Sequence, residues 1–243
     1  MKYMGSKSKI KKDILPILQK IIDDNNISTY IEPFVGGANI IDGIKCQNKI
    51  GGDKSETLIE LLKYVRDGGK LPSEVPKEIY DEVRRNKNND KYDKWFIGAV
   101  GYLASYNGRY FDGGYAKTII TKTGVIRNYY DEAKRNLENQ SKYLQGIDFI
   151  CGEYTQFSNI SNSLIYCDPP YKDTKQYNTS KNFNHDIFWE WCRTMSKNNI
   201  VIISEEKAPK DFICIWEQNV KRTIDNNKRI NKTERIFMYE WKF

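Results

Sequence analysis

The stretch "CDPPYKD", residues 167–173, places a carboxylate, two prolines and a phenol ring directly after the apolar run "SLIY". Two consecutive prolines fix φ and remove two backbone donors, so the turn is stiff and its carbonyl groups face outward. The Asp168 carboxylate and the Pro169 carbonyl could then accept the two hydrogens of an exocyclic aromatic amine. The ring of Tyr171 could stack on the aromatic ring that carries this amine. A structural Asp-Pro-Pro turn is the alternative interpretation.

A second candidate site is "YIEPFVGGANI", in which Gly36 and Gly37 follow a predicted strand and precede a predicted helix. Backbone can approach a ligand closely at such a position. The full dinucleotide fingerprint G-x-G-x-x-G is absent, which argues against a nicotinamide enzyme. One strand later, Asp53 ends "NKIGGD", where an acidic side chain could hold ribose hydroxyls. The alternative for Asp53 is a turn or helix-cap residue before "KSET".

The elements that must position these residues alternate between strand and helix. Apolar, β-branched runs predict strands at 28–37, 48–53, 148–154, 163–171, 198–206 and 234–243. Ile, Leu and Val at three- and four-residue spacing predict helices over "SKIKKDILPILQKII" and "SETLIELLKYVRD". This alternation favours a parallel α/β sheet, whose ligands bind beyond the carboxyl ends of the strands.

The alternation lapses from about residue 71 to residue 145. This stretch has 13 Lys and Arg against 10 Asp and Glu, a net of +3, and mixes its cations with tyrosines and glycines. It is predicted to be an insertion with a role of its own; a solvated cap over the sheet is the alternative.

Composition indicates a globular protein, and its basic charge and aromatic content are compatible with a nucleic-acid partner. The 243 residues carry a formal net charge of +7 and 17 tyrosines. The longest largely apolar stretch, 95–106, is shorter than the roughly 20 residues that span a bilayer, and the basic N-terminus does not resemble a secretory signal. We therefore expect no membrane segment and a cytoplasmic location. Five scattered cysteines predict free buried thiols and no metal site.

The motifs "KYMGSK", "EPFVGGA" and "DPPY" occur in the order in which the Dam-type family of S-adenosylmethionine-dependent adenine-specific DNA methyltransferases has them, and the chain resembles that family over most of its length. The resemblance implies a Rossmann-like class I methyltransferase sheet with helices on both faces. It implies a catalytic domain formed by 1–70 and 146–243, with 71–145 as an inserted target-recognition region. The implied reaction is methylation of the 6-amino group of adenine at a short sequence in double-stranded DNA. We expect a monomer; the sequence leaves open a companion restriction endonuclease.

Site residues follow from the same resemblance. Tyr3 and Lys7 would hold the methionine end of the cofactor, with Lys7 facing its carboxylate. Asp53 would bind the ribose hydroxyls, and Glu153 stands where the family usually has Asp before the cofactor's adenine. The pocket floor and the catalytic turn would be formed by Glu32, Pro33, Phe34 and Gly36, and by Asp168, Pro169, Pro170 and Tyr171.

The insertion supplies the predicted DNA contacts: Arg109, Lys117, Lys122 and Arg127. The target adenine would be extruded from the duplex and attack the methyl group directly. His185 is interpreted as a loop residue or helix cap. Two alternatives stay open at this point: an adenine methyltransferase that acts on RNA, and a catalytically silent DNA-binding relative. Methylation of a protein glutamine is disfavoured, because it usually goes with Asn before the prolines.

Overall fold

The computed structural model describes residues 1–121, 123–171, 183–225 and 228–240, with the backbone alone described between 221 and 232. Its strands are β1 Thr29–Glu32, β2 Asn48–Asp53, β3 Ile119–Ile120, β4 Ile126–Arg127, β5 Ile147–Cys151, β6 Leu164–Cys167, β7 Ile200–Glu205, β8 Phe212–Asp225 and β9 Lys228–Tyr239. Its α-helices are α1 Lys11–Asp24, α2 Glu56–Arg66, α3 Lys77–Asn86, α4 Lys94–Gly98, α5 Tyr129–Leu144 and α6 His185–Ser196. A π-helical turn, Ala99–Leu103, continues α4, and short 3-10 turns lie at Lys7–Lys9, Ile41–Gly43, Tyr106–Gly108 and Tyr154–Phe157.

Seven of these strands form one sheet in the order β5-β2-β1-β6-β7-β9-β8. β5, β2, β1, β6 and β7 are parallel to one another, whereas β9 is antiparallel to both β7 and β8. The predicted α/β class is confirmed, and each of the six predicted strands is present. The prediction missed β8, which pairs with β9 along nearly its whole length.

The order of the strands determines where a ligand can bind. From β1 the chain moves outward to β2 and β5, and then returns to the other side of β1 for β6 and β7. In open α/β sheets the crevice lies at this reversal, beyond the carboxyl ends of the two strands on either side of it. Here those ends are Glu32 and Cys167. The two candidate motifs of the sequence, the glycine loop at 32–37 and the Asp-Pro-Pro turn at 168–171, therefore follow neighbouring strands and lie side by side.

Side chains that alternate along the strands enter two separate hydrophobic clusters. Tyr30 and Leu164 belong to one cluster, and their neighbours Ile31 and Ile165 belong to the other. Because successive side chains of a strand point to opposite faces, the two clusters cover the two faces of the sheet. The site thus lies at the carboxyl ends of central strands, in a sheet that is packed on both faces.

Helix α5, within the segment that was interpreted as an insertion, shares the core of the sheet. Leu137 and Leu144 of α5 lie in the same cluster as Tyr30 of β1, and so does Tyr80 of α3. The division into a catalytic domain and a target-recognition region stays a prediction.

All five cysteines are free. The expectation of buried thiols is right for Cys167 and Cys192 but wrong for Cys151 and Cys214, which are exposed. Within the residues that the structure describes, no helix is both long and apolar enough to cross a bilayer.

Candidate active site

A cleft of about 1930 Å³ opens at the reversal of the sheet. Small-molecule sites typically occupy about 300–1,000 Å³, so the cleft has room for more than one ligand. It is lined by every residue predicted for catalysis or cofactor binding and by one of the predicted DNA contacts: Tyr3, Lys7, Glu32, Pro33, Phe34, Gly36, Asp53, Arg109, Glu153, Asp168, Pro169, Pro170 and Tyr171. The fold thus brings together residues from the N-terminus and from the middle of the chain, and Glu234 near the C-terminus lines the same cleft.

Two of the other predicted DNA contacts are not at the cleft. Lys117 and Arg127 are absent from its lining, and Lys122 lies outside the described residues. Arg127 belongs to the small hairpin formed by β3 and β4, where its guanidinium forms two hydrogen bonds with Glu132, at 2.6 and 2.9 Å.

The loop after β1 that contains Gly36 and Gly37 is hydrogen-bonded to Asp53. Gly36 has a φ of +48°, which favours glycine, and a side chain there would meet the ring of Tyr3 at 2.8 Å. The backbone N–H of Gly36 donates to Asp53 at 3.2 Å, and that of Ser55 donates to the other carboxylate oxygen at 2.9 Å. Burial raises the pKa of Asp53, and these amides oppose the rise. Asp53 therefore connects the loop to the start of α2, whose N-cap is Ser55.

Sequence reasoning missed the residue that holds the far side of this loop. Gln140 of α5 is buried, and its side-chain amide donates to the carbonyls of Gly37 and Ala38, at 3.1 and 3.0 Å. Ala38 has a φ of +54°, a conformation that L side chains rarely adopt. No motif near Gln140 indicates this contact, because its partners lie far away in the chain.

The remaining predicted cofactor residues line the walls of the cleft in different environments. Glu32 is buried and accepts a hydrogen bond from the Tyr30 hydroxyl at 2.7 Å; burial raises its pKa well above the ordinary range, with this hydrogen bond acting against the rise. Glu153 is exposed and forms an ion pair with Lys54 at 2.5 Å. The rings of Phe34 and Tyr154 lie 5.6 Å apart between their centroids.

Asp168 directly follows β6 and forms an ion pair with Lys7. The Lys7 ammonium lies 3.0 Å from Asp168 Oδ1 and 3.1 Å from Glu234 Oε2. The Lys7 side chain is only 6% exposed, whereas that of Asp168 is 23% exposed. Burial alone lowers the pKa of Lys7, but the two carboxylates outweigh it and raise the pKa above that of an ordinary lysine. Lys7 is therefore a permanent cation that keeps the Asp168 carboxylate at the cleft.

Tyr171 joins Lys7, Asp168 and Glu234 in one cluster of polar side chains. Its hydroxyl contacts the Lys7 ammonium, donates to Glu234 Oε2 at 3.0 Å and lies 3.2 Å from Ser204 Oγ. Burial, followed by the nearby carboxylates, raises the pKa of Tyr171 well above its ordinary value, so the phenol keeps its proton. Glu234 of β9 was not predicted as a site residue.

Two further observations concern the periphery of the cleft. His185 is the first residue of α6, and the helix is capped by Asn184, whose side chain accepts from Ile187 N at 3.1 Å. Arg84 of α3 and Lys87 directly after it line the cleft, although sequence reasoning did not propose them. The basic last turn of α3 could have indicated these residues, but this helix was not predicted from the sequence.

A mostly parallel sheet of this order, with a glycine loop after β1, an acid at the end of β2 and an Asp-Pro-Pro turn after β6, defines a Rossmann-like enzyme whose ligands bind at the reversal of the strand order. Residues 3–192 match the model of the D12 class N6 adenine-specific DNA methyltransferases, and the chain belongs to this family. It is accordingly an enzyme that methylates the N6 atom of adenine in DNA and uses S-adenosylmethionine.

Similar proteins include the type II methyltransferase M.MjaIII of Methanocaldococcus jannaschii, 29% identical over 92% of this chain and 90% of the relative. The modification methylase StsI of Streptococcus sanguinis is 30% identical over 74% of this chain but only 30% of its own length. Among solved structures, the rRNA methyltransferase AviRa of Streptomyces viridochromogenes has a TM-score of 0.46 at 7% identity and covers 98% of this chain and 87% of that one. This last likeness is too low to favour RNA as the substrate.

The residues of the cleft fit S-adenosylmethionine. Gly36 packs against the ring of Tyr3 and donates its N–H to Asp53, and two carboxylates line the cleft at the carboxyl ends of β2 and β5, Asp53 and Glu153. The aromatic pair Phe34 and Tyr154 offers an apolar wall beside Glu153. Carboxylates suit hydroxyl and amino donors, and aromatic rings suit a purine.

Proposed function

We propose that this enzyme methylates an adenine that is extruded from double-stranded DNA, and that the base's own amino nitrogen is the nucleophile. The observation that carries the proposal is the Asp168 carboxylate, held at the cleft by Lys7. Asp168 and the carbonyl of Pro169 accept the two amino hydrogens, which favours a tetrahedral nitrogen with an available lone pair. The ring of Tyr171 stacks on the base, and stacking offsets part of the few kcal/mol that extrusion costs.

The bound S-adenosylmethionine supplies a methyl group that a nitrogen nucleophile can take directly, so no covalent enzyme intermediate is required. Two neighbouring groups of the protein are consistent with this proposal. Cys167 precedes Asp168 but is buried in the core beside Cys192, where it cannot reach a substrate. Lys7 stays protonated, so it does not act as a base at neutral pH.

The decisive experiment is incubation of the protein with labelled S-adenosylmethionine and unmodified genomic DNA, followed by sequencing that detects modified adenine. A parallel incubation with total RNA serves as the control for substrate class. We expect label in DNA, at adenines within one short sequence. Label in RNA but not in DNA would contradict the proposal.

The proposed cofactor contact of Asp53 is tested by Asp53→Ala. We expect S-adenosylmethionine affinity to fall by roughly 1 to 3 kcal/mol, the usual cost of removing a charged hydrogen bond. Titration calorimetry measures the affinity, and circular dichroism checks the fold, because Asp53 also holds Gly36 and Ser55. Asp67→Ala, at the exposed end of α2, is the matched control. Unchanged affinity in the folded Asp53 variant would leave Asp53 a turn residue only.

We also propose that DNA phosphates contact three of the cations predicted from the sequence, Lys117, Lys122 and Arg127. Replacing all three with alanine should weaken binding to every duplex alike, because phosphate contacts carry no sequence information. The slope of log K against log salt should flatten by about 0.9 for each phosphate that the variant no longer neutralises. Binding is measured on two unrelated duplexes at two salt concentrations.

A second triple variant, with Arg84, Lys87 and Arg109 replaced by alanine, tests the cations at the cleft itself. Lys20→Ala, on the exposed face of α1, is the control. Loss of binding to only one duplex would indicate a base contact rather than phosphate contacts. An unchanged salt slope in the variant that lacks Lys117, Lys122 and Arg127 would support the alternative, in which this segment is a solvated cap.

We propose further that the enzyme acts as a monomer in the cytoplasm. The names of its relatives, type II methyltransferase and modification methylase, support a restriction-modification role with a companion endonuclease. Light scattering with and without DNA measures the stoichiometry, and a dimer in both conditions would contradict the monomer.

A further inference from the structure

Glu234 is a buried carboxylate that the chemistry proposed above does not use. Its side chain is 7% exposed, and it lines the cleft that contains the catalytic turn. A buried carboxylate is costly unless it is paired and hydrogen-bonded. Its partners therefore indicate what the residue is for.

Both described partners of Glu234 belong to the catalytic site. The same oxygen, Oε2, lies 3.1 Å from the Lys7 ammonium and accepts from the Tyr171 hydroxyl at 3.0 Å. Lys7 in turn holds Asp168, at 3.0 Å. One carboxylate atom is thus connected to both ends of the catalytic turn, to Tyr171 directly and to Asp168 through Lys7.

The fold gives this carboxylate a rigid base. Glu234 lies in β9, opposite Gln218 of β8, and the next residue along β9, Arg235, pairs with Glu205 at the end of β7. β7 is the parallel neighbour of β6, from which the catalytic turn leaves. Groups that are supported by regular strands hold a geometry more accurately than groups on loops.

The charges of the cluster are also informative. One cation, Lys7, faces two carboxylates, Asp168 and Glu234. The amino nitrogen of adenine becomes positively charged as its bond to the methyl carbon forms and the bond from that carbon to the sulfonium sulfur breaks, which leaves a neutral thioether. It returns to neutrality when its proton passes to the Asp168 carboxylate and from there to water. Carboxylates that are already in place stabilise such developing charge without reorganising.

We infer that Glu234 is a positioning residue for the catalytic turn: it orients Lys7 and Tyr171, and through Lys7 it orients Asp168. The inference rests on the proposed function, in which Asp168 and Tyr171 contact the target base. Misplacement of reacting groups by about 1 Å can cost on the order of 100-fold in rate. A positioning role therefore predicts a loss in kcat rather than in cofactor affinity.

The test is Glu234→Gln, which keeps the shape and an acceptor oxygen but removes the charge. We expect kcat on unmodified genomic DNA to fall about 10- to 100-fold, with KM for S-adenosylmethionine within about twofold of the unmodified protein. The matched control is Glu217→Gln, which removes a carboxylate from the neighbouring strand, where it pairs with Arg235 at an exposed site. Rates are compared per folded molecule, with the folded fraction measured by circular dichroism.

A double-mutant cycle with Lys7→Met adds a readout that a general loss of stability does not move. Because Lys7 and Glu234 are proposed to act as a unit, their effects on kcat should be clearly non-additive. A kcat within twofold of the unmodified protein, or additive effects in the cycle, would overturn the inference. If Asp168→Ala is inactive and Glu234→Gln is normal, only this inference fails; if Asp168→Ala is active, the proposed chemistry itself fails.

Discussion

Asp168→Ala is expected to lose methyl transfer by about 100-fold or more while the protein stays folded. The reason is the loss of one preorganised acceptor at the nitrogen that must become nucleophilic, a kind of contact whose removal typically costs about 100- to 1,000-fold in kcat. Folding should survive, because Lys7 keeps the Glu234 carboxylate and the Tyr171 hydroxyl as partners. The measurement is single-turnover transfer of label from S-adenosylmethionine to unmodified genomic DNA.

Two further variants sharpen the result. Asp168→Asn keeps one acceptor oxygen but no charge, so it should fall between the unmodified protein and Asp168→Ala. Asp148→Ala removes an exposed carboxylate from β5, outside the cleft, and should leave the rate unchanged. Near-normal turnover of Asp168→Ala would show that the amine does not depend on this acceptor, and the mechanism would be wrong.

Lys7→Met is expected to lower the free energy of unfolding by about 3 kcal/mol or more. Removing one partner of a buried ion pair leaves an uncompensated buried charge, which typically costs about 3–5 kcal/mol. Here two carboxylates, Asp168 and Glu234, would be left facing each other; the partial exposure of Asp168 places the expectation at the lower end. Urea denaturation with a constant m-value measures the change.

Lys54→Met is the matched control for this prediction, because Lys54 and Glu153 form an ion pair between exposed side chains. Exposed pairs contribute roughly 0–1 kcal/mol, so this variant should be close to the unmodified protein. The pKa of Lys7 is raised on folding, so its contribution is fully present below the ordinary lysine pKa and is lost only as pH rises through the raised value. The deficit of Lys7→Met should therefore be constant across the neutral range. A loss no larger than that of Lys54→Met would contradict the buried ion pair.

The structure also changes how cofactor binding should be measured in this variant. The resemblance assigned Lys7 to the cofactor's carboxylate, and that role stays a prediction, since the ammonium is directed at two carboxylates of the protein. A loss of S-adenosylmethionine affinity in Lys7→Met is informative only when it is corrected for the folded fraction. Asp53→Ala is the cleaner test of the pocket.

The amino-acid sequence by itself determined the class of fold and the position of the site. Apolar runs that end in turn residues indicate strands, and alternation with helices indicates a parallel sheet; both are local patterns. The Asp168 turn and the Gly36 loop directly follow such runs, so their place at the carboxyl ends of β6 and β1 could be predicted. Strand β8 was missed although it begins with the apolar run "FICIW", because its remainder, "EQNVKRTID", is mostly polar and has no strand-like alternation.

Only the tertiary structure decided which residues support the site. Glu234 and Gln140 are ordinary polar residues in their local sequence, and each gains its role from a partner that is distant in the chain. Arg84 lines the cleft only because the fold places the end of α3 there. The same holds for Lys7, which reads as one more charge in a basic N-terminus until the sheet brings Asp168 and Glu234 within about 3 Å of it. Local sequence specifies backbone conformation and the face that is buried, whereas the pairing of buried charges depends on distances that exist only after the strands have assembled.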